Sequence, residues 1–251
     1  MTDIVTGVVT DEELAHLNDV HGRGGTESLL RWAVTTFSPR ISVAVSFGVE
    51  DVVVIHLLAG LGLRPRLFFL DTGRIHPETY ETSDRIRDRY GVTVQVFAPE
   101  TAGLEALVTE HGFHHFYADR PSRQACCEVR KLEPLRRALA GDQAWITGLR
   151  QEQGVSRTGV RLVERDPLAP ERLKINPLAF WTTAEIWDLV RREDVPFNPL
   201  HERGYASIGC VPCTRPVAPG EPLRAGRWWW EEEGSRECGL HGRRAAAEGR
   251  A

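Results

Sequence analysis

Short apolar runs that alternate with helical segments are the feature that most constrains how this chain of 251 residues can fold. Runs rich in β-branched and aromatic residues predict strands at 41–46, 66–71, 92–97 and 144–149. Helices are predicted at 26–37, 50–61, 77–90, 101–112 and 182–193. Runs that are apolar throughout are typical of a parallel sheet covered on both faces. The alternation therefore indicates an α/β domain with a doubly wound, mainly parallel sheet.

A change in composition divides the chain into two parts. With 41% apolar residues, the chain can build one core large enough to be stable alone. We assign this core to a domain at 1–215. The segment 216–251 is rich in Pro, Gly, Arg, Trp and Glu and has no sustained period, so it is predicted to be a mobile C-terminal tail. The tryptophans at 228–230 can stack on a base or dock a partner, but the favoured interpretation is that they pin the tail to the core.

Charge and hydropathy argue against two classes of partner. The net charge of -4 gives no global electrostatic reason to expect nucleic acid or an anionic membrane. The longest apolar stretch, 52–63, is far shorter than the ~20 residues of a membrane span. The N-terminus lacks the basic start and apolar middle of a signal peptide, so a cytoplasmic protein is expected. In that reducing compartment, the cysteines are expected to be ligands or nucleophiles rather than disulfides.

The turn after the first predicted strand is a candidate anion site. Ser46, Phe47 and Gly48 lie between that strand and the next helix, where backbone amides and the serine hydroxyl can bind a phosphate. The turn lacks the lysine of a Walker loop and the three spaced glycines of a dinucleotide fingerprint. An ordinary strand-to-helix turn with a serine explains the same residues equally well.

Two further turns are expected at the same edge of the sheet. Asp71, Thr72 and Gly73 end the second strand, and Arg150 and Arg157 follow the strand at 144–149. Guanidinium groups pair well with phosphate or sulfate oxygens. Each arginine can instead pair with a carboxylate of the protein itself.

Four cysteines form two close pairs, Cys126 with Cys127 and Cys210 with Cys213. Such pairs are the usual ligands of a tetrathiolate metal site. Neighbouring side chains on a regular helix diverge by ~100°, so the backbone must bend at 126–127 or the centre must be large. An iron-sulfur cluster is therefore favoured over zinc, and a disulfide or inert thiols are least favoured. Lys131 lies about one helical turn after Cys127 and can offset the charge of the thiolates.

The fifth cysteine, Cys238, lies in the polar sequence "SRECGLH" without apolar neighbours. These neighbours exclude a role in the core. If the other four thiols share one centre, Cys238 is left free, and it is either incidental or reactive.

These motifs together resemble a known enzyme family. The chain is similar to the assimilatory adenylyl-sulfate (APS) and phosphoadenylyl-sulfate (PAPS) reductases, specifically the iron-sulfur APS branch, over roughly residues 25–241. The resemblance rests on "SFGVED", "LDTGRIHPETY", "CCEVRKLEPL", "WITGLRQEQ", "INPLAFWT", "IGCVPCTRP", "RAGRWWWE" and "ECGLH", in that order. It implies an adenine-nucleotide α-hydrolase-like (Rossmann-like) fold and a nucleophilic Cys238. It also implies a 4Fe-4S cluster on Cys126, Cys127, Cys210 and Cys213.

The resemblance also implies a reaction, part of sulfate assimilation and cysteine biosynthesis. The adenylate of APS would lie near Ser46–Gly48 and the turn at 70–73. Its phosphate and sulfate would be held by four cations, Lys131, Arg150, Arg224 and Arg227. Cys238 would attack the sulfate sulfur, release AMP and become an S-sulfocysteine. A dithiol reductant, thioredoxin in the family, would then release sulfite.

Three other functions stay open at this stage. A PAPS reductase is one, although that branch generally lacks the four cysteines. The second is a thiolating ATP-pyrophosphatase of the same superfamily with an iron-sulfur cluster, although its "SGGxDS" loop differs from "SFGVED". The third is a zinc-stapled nucleotide-binding protein. The family usually has "RREQS" where this chain has "RQEQG", so Gln151 and Gly154 leave the detail of anion binding open. The sequence does not indicate an oligomeric state.

Overall fold

The computed structural model describes residues 9–231 and Gly239. Its centre is a six-stranded sheet in the order β3-β2-β1-β4-β6-β5. The strands are β1 Ile41–Val45, β2 Arg66–Leu70, β3 Val94–Phe97, β4 Ala144–Ile146, β5 Val163–Asp166 and β6 Ala169–Ile175. Every neighbouring pair is parallel except β5 with β6. The predicted doubly wound, mainly parallel α/β fold is confirmed.

Seven α-helices accompany the sheet in the described residues. They are α1 Asp11–Phe37, α2 Val49–Gly60, α3 Pro77–Tyr90, α4 Thr101–His111, α5 Arg120–Cys127, α6 Glu133–Ala138 and α7 Thr183–Arg192. The helix predicted at 26–37 is the second half of α1, which is kinked at Gly25. Thr182 and Glu185 form the capping box expected at the start of α7. No helix in the described part of the chain is long and apolar enough to cross a membrane.

Both faces of the sheet are covered. Leu67 and Phe69 of β2 face the larger core, whereas Phe68 between them packs with Leu135 and Trp145 on the other side. Side chains of a strand alternate between faces, so one short apolar strand contributes to two cores. Because both faces of each such strand are buried, its sequence is apolar at nearly every position.

The last two strands, β5 and β6, were not predicted. They form an antiparallel pair at the edge of the sheet, with sequences "VERD" and "APERLKI". Charged residues interrupt the apolar pattern of both strands, although only β5 is an edge strand and β6 lies between β4 and β5. Pro170 lies at the end of β6 that pairs with β5 and not with β4. The apolar runs thus predicted β1, β2 and β4 inside the sheet and β3 at one edge.

The described part of the predicted tail packs against the domain. The Arg215 amide donates to the Gly226 carbonyl at 2.9 Å, and Thr214 and Arg227 form an antiparallel bridge. Trp228 is only 1% exposed. The segment 216–231 is therefore held to the domain rather than mobile, because Trp228 is buried, as the pinning interpretation required. The rest of the predicted tail, apart from Gly239, lies outside the described residues.

Candidate active site

A cavity of about 200 Å³ lies at the carboxyl ends of β1, β2 and β4. The chain runs outward from β1 to β3 and then returns to place β4 on the other side of β1. Such a switch point leaves a crevice where open α/β sheets bind ligands. Ser46 and Gly48 from the first turn line the cavity, with Leu70 from the second and Gly148 from the third.

Four of the five predicted anion-binding cations line this cavity: Lys131, Arg157, Arg224 and Arg227. They come from three separate segments of the chain. Lys131 lies on a π-helical turn, Glu128–Leu132, that joins α5 to α6. Arg157 ends the short turn Val155–Arg157, and the other two lie in the segment that follows the second cysteine pair. Their convergence gives the cavity a strongly cationic wall.

Arg227 is buried and oriented by backbone contacts. Its Nη1 atom donates to the Ile208 carbonyl at 3.1 Å, while its Nε has no hydrogen-bond partner in the described part of the chain. Gly209 makes room for the guanidinium, because a Cβ there would lie 2.3 Å from Nη2. A buried donor without a partner indicates that an acceptor is still to be supplied.

Trp228 provides an aromatic surface for three guanidinium groups. The Cζ atoms of Arg123, Arg224 and Arg227 lie 4.7, 5.9 and 4.6 Å from its ring centroid. Arg123 is also paired with Glu231, its Nε donating to Oε1 at 2.6 Å, whereas cation–π contact with Trp228 is shared by all three guanidinium groups. The tryptophan thus fixes the cationic wall as well as the segment that carries it.

Asp51 is a cavity residue that sequence reasoning missed. Its Oδ2 atom accepts hydrogen bonds from the amide and the hydroxyl of Ser46, both at 2.6 Å. The predicted anion donors of Ser46 are therefore already paired within the protein. Burial raises the pKa of Asp51 to about 6, although the bonds from Ser46 oppose that shift. The sequence does contain a signal for this residue. Asp51 lies two residues after Val49, the first residue of α2, so its side chain can reach back to the turn before the helix.

Phe47 and Arg150 are placed differently from their predicted roles in substrate binding. Phe47 is fully buried and packs on Phe69, with ring centroids 5.4 Å apart. Arg150 is buried and donates to Glu50 at 2.8 Å and to Glu152 at 3.1 Å. Neither residue lines the cavity in the described part of the chain. Phe47 is a core residue because its side chain turns inward, and Arg150 pairs with the protein's own carboxylates.

The turn at 71–73 lies beside the cavity rather than in its lining. Asp71 accepts hydrogen bonds from the Gly73 amide at 2.8 Å and the Tyr80 hydroxyl at 3.0 Å. The Thr72 hydroxyl is 3.2 Å from the Cys210 sulfur, and the Thr72 carbonyl accepts from Arg130 at 2.6 Å. These predicted substrate residues therefore connect the cavity to the cysteines.

The four predicted ligand cysteines line a second, smaller cavity of about 20 Å³. Cys126 and Cys127 end α5, and the π-helical turn begins immediately after them. Cys210 and Cys213 bracket the short turn Val211–Cys213. Cys126 and Cys127 themselves lie in regular α-helix, and the π-helical turn begins one residue later, so the bend that one alternative placed at 126–127 is not observed there. All four thiols are buried and unbonded to one another.

Positive charge surrounds these thiols. The second cavity is lined by five cationic side chains: Arg74, Arg123, Arg130, Lys131 and Arg227. Burial raises the pKa of Cys126, and that of Cys213 to about 12. Burial also works to raise the pKa of Cys210, but the charge of Lys131 and the Thr72 hydroxyl outweigh it and lower the pKa. The cations around the four thiols therefore suit a negatively charged centre.

The two cavities share a wall. Lys131, Arg227 and Trp228 line both of them. Whatever occupies the cysteine cavity is therefore separated from the larger cavity by single side chains.

Cys238, the predicted nucleophile, lies outside the described residues. The next residue, Gly239, is described, and a Cβ there would lie 3.4 Å from a methyl carbon of Leu132. Leu132 follows Lys131 in the π-helical turn.

His201 is a further residue that the sequence did not single out. It lines the larger cavity, and its Nδ1 atom is 2.8 Å from the Tyr205 carbonyl. Because a carbonyl only accepts, Nδ1 carries the proton and Nε2 is an acceptor. Nε2 is buried and has no partner in the described ranges. It therefore offers an acceptor to a donor that lies outside the protein.

Comparison with known proteins identifies relatives across most of the chain. Residues 40–216 match the phosphoadenosine phosphosulfate reductase domain. An adenosine 5′-phosphosulfate reductase of Burkholderia cepacia is 47% identical over 80% of this chain and 80% of the relative. One from Allochromatium vinosum is 48% identical over 82% of this chain and 80% of the relative.

A solved structure has the same architecture. The phosphoadenylyl-sulfate reductase of Candida auris, in a phosphate complex, superimposes with a TM-score of 0.72 at 27% identity, covering 82% of this chain and 98% of that one. An FMN adenylyltransferase of Candida glabrata with bound ATP shares the fold, with a TM-score of 0.55, 16% identity, and coverage of 94% of this chain and 79% of that one.

Proposed function

The chain belongs to the phosphoadenosine phosphosulfate reductase family, and from that membership we propose that it reduces adenylyl sulfate to sulfite and AMP. The observation that carries the proposal is the cationic cavity at the switch point, which shares a wall with four buried thiols. In adenylyl sulfate, the phosphate and the sulfate are directly linked, and both groups carry negative charge. Several cations in one crevice suit that linkage better than they suit a neutral substrate.

The proposed binding mode assigns a task to each part of the cavity. The cationic wall of Lys131, Arg157, Arg224 and Arg227 binds the phosphate and sulfate oxygens. The apolar walls, Leu70 among them, receive the adenine, and Nε2 of His201 is available to accept a hydrogen bond from the nucleoside. Arg150 is left out of this proposed binding mode because it is paired with Glu50 and Glu152.

The proposed chemistry is nucleophilic and uses Cys238. Its thiolate attacks the sulfate sulfur, and a sulfur–sulfur bond forms as the bond from sulfur to the phosphate oxygen breaks. AMP leaves with that electron pair. A thiolate of a dithiol reductant, thioredoxin by family resemblance, next attacks Cys238 Sγ and releases sulfite. Nearby cations favour the thiolate form, since a free thiol has a pKa near ~8.5.

The four buried thiols fit a 4Fe-4S cluster held by Cys126, Cys127, Cys210 and Cys213. They share one cavity ringed by cations, which can balance the net negative charge of such a centre. Among residues 9–231, no group of three His, Cys, Asp or Glu side chains is close enough to hold a single metal ion. The preference for a cluster over zinc rests on the adjacent pair Cys126 and Cys127. When bound, the cluster supplies a local charge distribution and a cross-link between chain segments, while the reducing electrons come from thiols.

The nucleophile is tested with a Cys238→Ser variant and APS labelled with radioactive sulfur. The native protein, given APS without reductant, should retain label after denaturation and release it as sulfite when dithiothreitol is added. The variant should retain none. Label that stays on the variant would overturn the assignment, and a Cys213→Ser variant would separate loss of the cluster from loss of the nucleophile.

Substrate and cofactor are tested on anaerobically purified protein. It should be brown, contain iron and sulfide, and release sulfite from APS in preference to PAPS. Preference for PAPS would identify the sister activity of the family. A colourless, zinc-containing protein that reduces APS would refute the cluster, and pyrophosphate release from ATP would indicate a ligase instead.

A further inference from the structure

Large apolar side chains are exposed on the surface beside the cysteine cavity. Phe113, Tyr117, Val211 and Trp229 are 68%, 42%, 46% and 38% exposed. We refer to these four residues as the aromatic patch. Single exposed apolar residues are ordinary, but a contiguous group in a folded protein usually marks a binding surface.

Specific contacts show that the patch is contiguous. The Tyr117 hydroxyl donates to the Pro212 carbonyl at 2.8 Å, next to Val211. The Tyr117 ring lies 4.6 Å from that of Trp230, which lies 4.9 Å from that of Trp229.

Arg74 connects the remaining side of the patch. Its carbonyl accepts from the Val211 amide at 2.8 Å, and its guanidinium donates to the Phe113 carbonyl at 2.5 Å. The same guanidinium lies 4.8 Å above the buried ring of Phe116. These contacts hold the backbone at Phe113 and Val211 on either side of Arg74, so the exposed side chains of the patch lie on one surface.

The position of the patch in the chain indicates which molecule this is. The continuously described stretch 9–231 ends two residues after Trp229, and Cys238 follows Glu231 by seven residues. Seven residues span at most ~25 Å, so any molecule seated on the patch is within reach of Cys238. Gly239, which lies beside Leu132, brings the chain back to the helical stretch that carries Cys126 and Cys127.

We propose that the aromatic patch is the docking surface for the dithiol protein that reduces the S-sulfocysteine. This inference rests on the proposed function. The partner is a small redox protein whose reactive cysteine lies within an apolar surface, because covering the patch requires apolar area of similar extent. Beyond Glu231, the sequence 232–238, "EEGSREC", has no large apolar residue, and 240–251, "LHGRRAAAEGRA", has one, so this part of the chain does not have the apolar residues to cover four.

The thiol exchange at this surface takes two steps. One partner thiolate attacks Cys238 Sγ, forming a mixed disulfide, and sulfite leaves with the electron pair of the sulfur–sulfur bond. The second partner thiolate then attacks the partner sulfur of that mixed disulfide and releases the Cys238 thiolate. The partner is oxidised to a disulfide and supplies both electrons.

The test compares a protein reductant with a small one. Phe113→Ser and Trp229→Ser variants are assayed for sulfite release from APS, with thioredoxin or with dithiothreitol. We expect the KM for thioredoxin to rise about tenfold, which is the effect of losing one central contact. Rates with dithiothreitol should stay within twofold of the native protein. Phe180→Ser, which removes a ring 58% exposed on another surface, is the matched control and should change neither value.

Two outcomes would overturn the docking surface alone: an unchanged KM for thioredoxin in both patch variants, or an equal loss with both reductants. A change of oligomeric state in Phe113→Ser, measured by sedimentation, would instead assign the patch to a second copy of this chain. If the native protein releases no sulfite with either reductant, the proposed function fails and the docking proposal with it.

Discussion

At the scale of single residues, the site depends on groups that are paired within the protein. Asp51 holds the turn at Ser46 through two short hydrogen bonds, and Arg150 is occupied by two glutamates. Such pairs are indistinguishable in sequence from groups that bind a ligand. Cavity cations could be predicted because several arginines and lysines lie near the motifs, but which of them face the cavity depends on packing.

Asp51 should make stability depend on pH. Its pKa is raised from 3.8 to about 6 in the folded protein. Between these two pH values, the Asp51 carboxyl is therefore protonated in the folded state and ionised in the unfolded state. The free energy of unfolding should therefore fall as pH rises from 3.8 to 6, by ~3 kcal/mol in total from this residue. Urea unfolding at several pH values measures it.

Asp51→Asn is the comparison for that experiment, because its amide oxygen can still accept from Ser46. The native protein should lose stability relative to Asp51→Asn as the pH rises. A constant difference between the two proteins from pH 4 to 7 would contradict the raised pKa.

Gly209 should matter for binding rather than stability. In Gly209→Ala, the new Cβ meets the guanidinium of Arg227, a flexible side chain that can shift away. We expect the KM for APS to rise about tenfold, as for the loss of one charge-assisted contact, with little change in melting temperature. Gly60→Ala, where a Cβ meets nothing within 4 Å, is the control. An unchanged KM would place Arg227 outside the binding contacts.

At the scale of elements, strands with mostly apolar runs could be predicted, and strands interrupted by charged residues could not. Apolar runs located β1, β2 and β4, and the helix Pro77–Tyr90 begins and ends where predicted. The strands β5 and β6 were missed because charged residues interrupt the apolar pattern of both, although β6 lies inside the sheet between β4 and β5. The packing of 216–231 was only partly foreseen, since one buried tryptophan fixes a segment whose composition is typical of a loop.

The segment that carries Arg224 and Arg227 should be sensitive to Gly226. A Cβ at this position would lie 2.2 Å from the carbonyl oxygen of Arg215, a backbone atom that cannot move alone. Gly226→Ala should therefore separate the paired backbone at 214–227 and lower stability by ~1–3 kcal/mol. Differential scanning calorimetry measures the loss, and limited proteolysis should show faster cleavage after residue 216. A native proteolysis pattern would contradict the tight packing.

At the scale of the whole molecule, the cysteine cavity joins segments that are far apart in sequence. Cys126 and Cys127 end a helix of the α/β domain, whereas Cys210 and Cys213 begin the segment that supplies much of the cationic wall. A centre bound by both pairs would close a long loop of chain. Motif spacing predicted four candidate ligands, but the shared wall between the two cavities is a property of the three-dimensional fold alone.

Removing the proposed cluster should therefore weaken the whole fold. Protein freed of iron by chelation should melt on the order of 10 °C below the iron-loaded protein, because a ligand that binds only the folded state stabilises it. Calorimetry on both forms measures this difference. The Cys238→Ser variant, which keeps all four proposed ligands, should show the same difference. Equal melting temperatures for the two forms would argue against a structural centre.

The place of Trp228 between the two cavities has an optical consequence. Its indole lines both of them, so it would lie next to the proposed cluster and next to bound nucleotide. An iron-sulfur cluster absorbs where indole emits, and such proximity quenches fluorescence. Emission from this tryptophan would therefore brighten when the cluster is lost, which would give the protein a built-in reporter of the integrity of its own site.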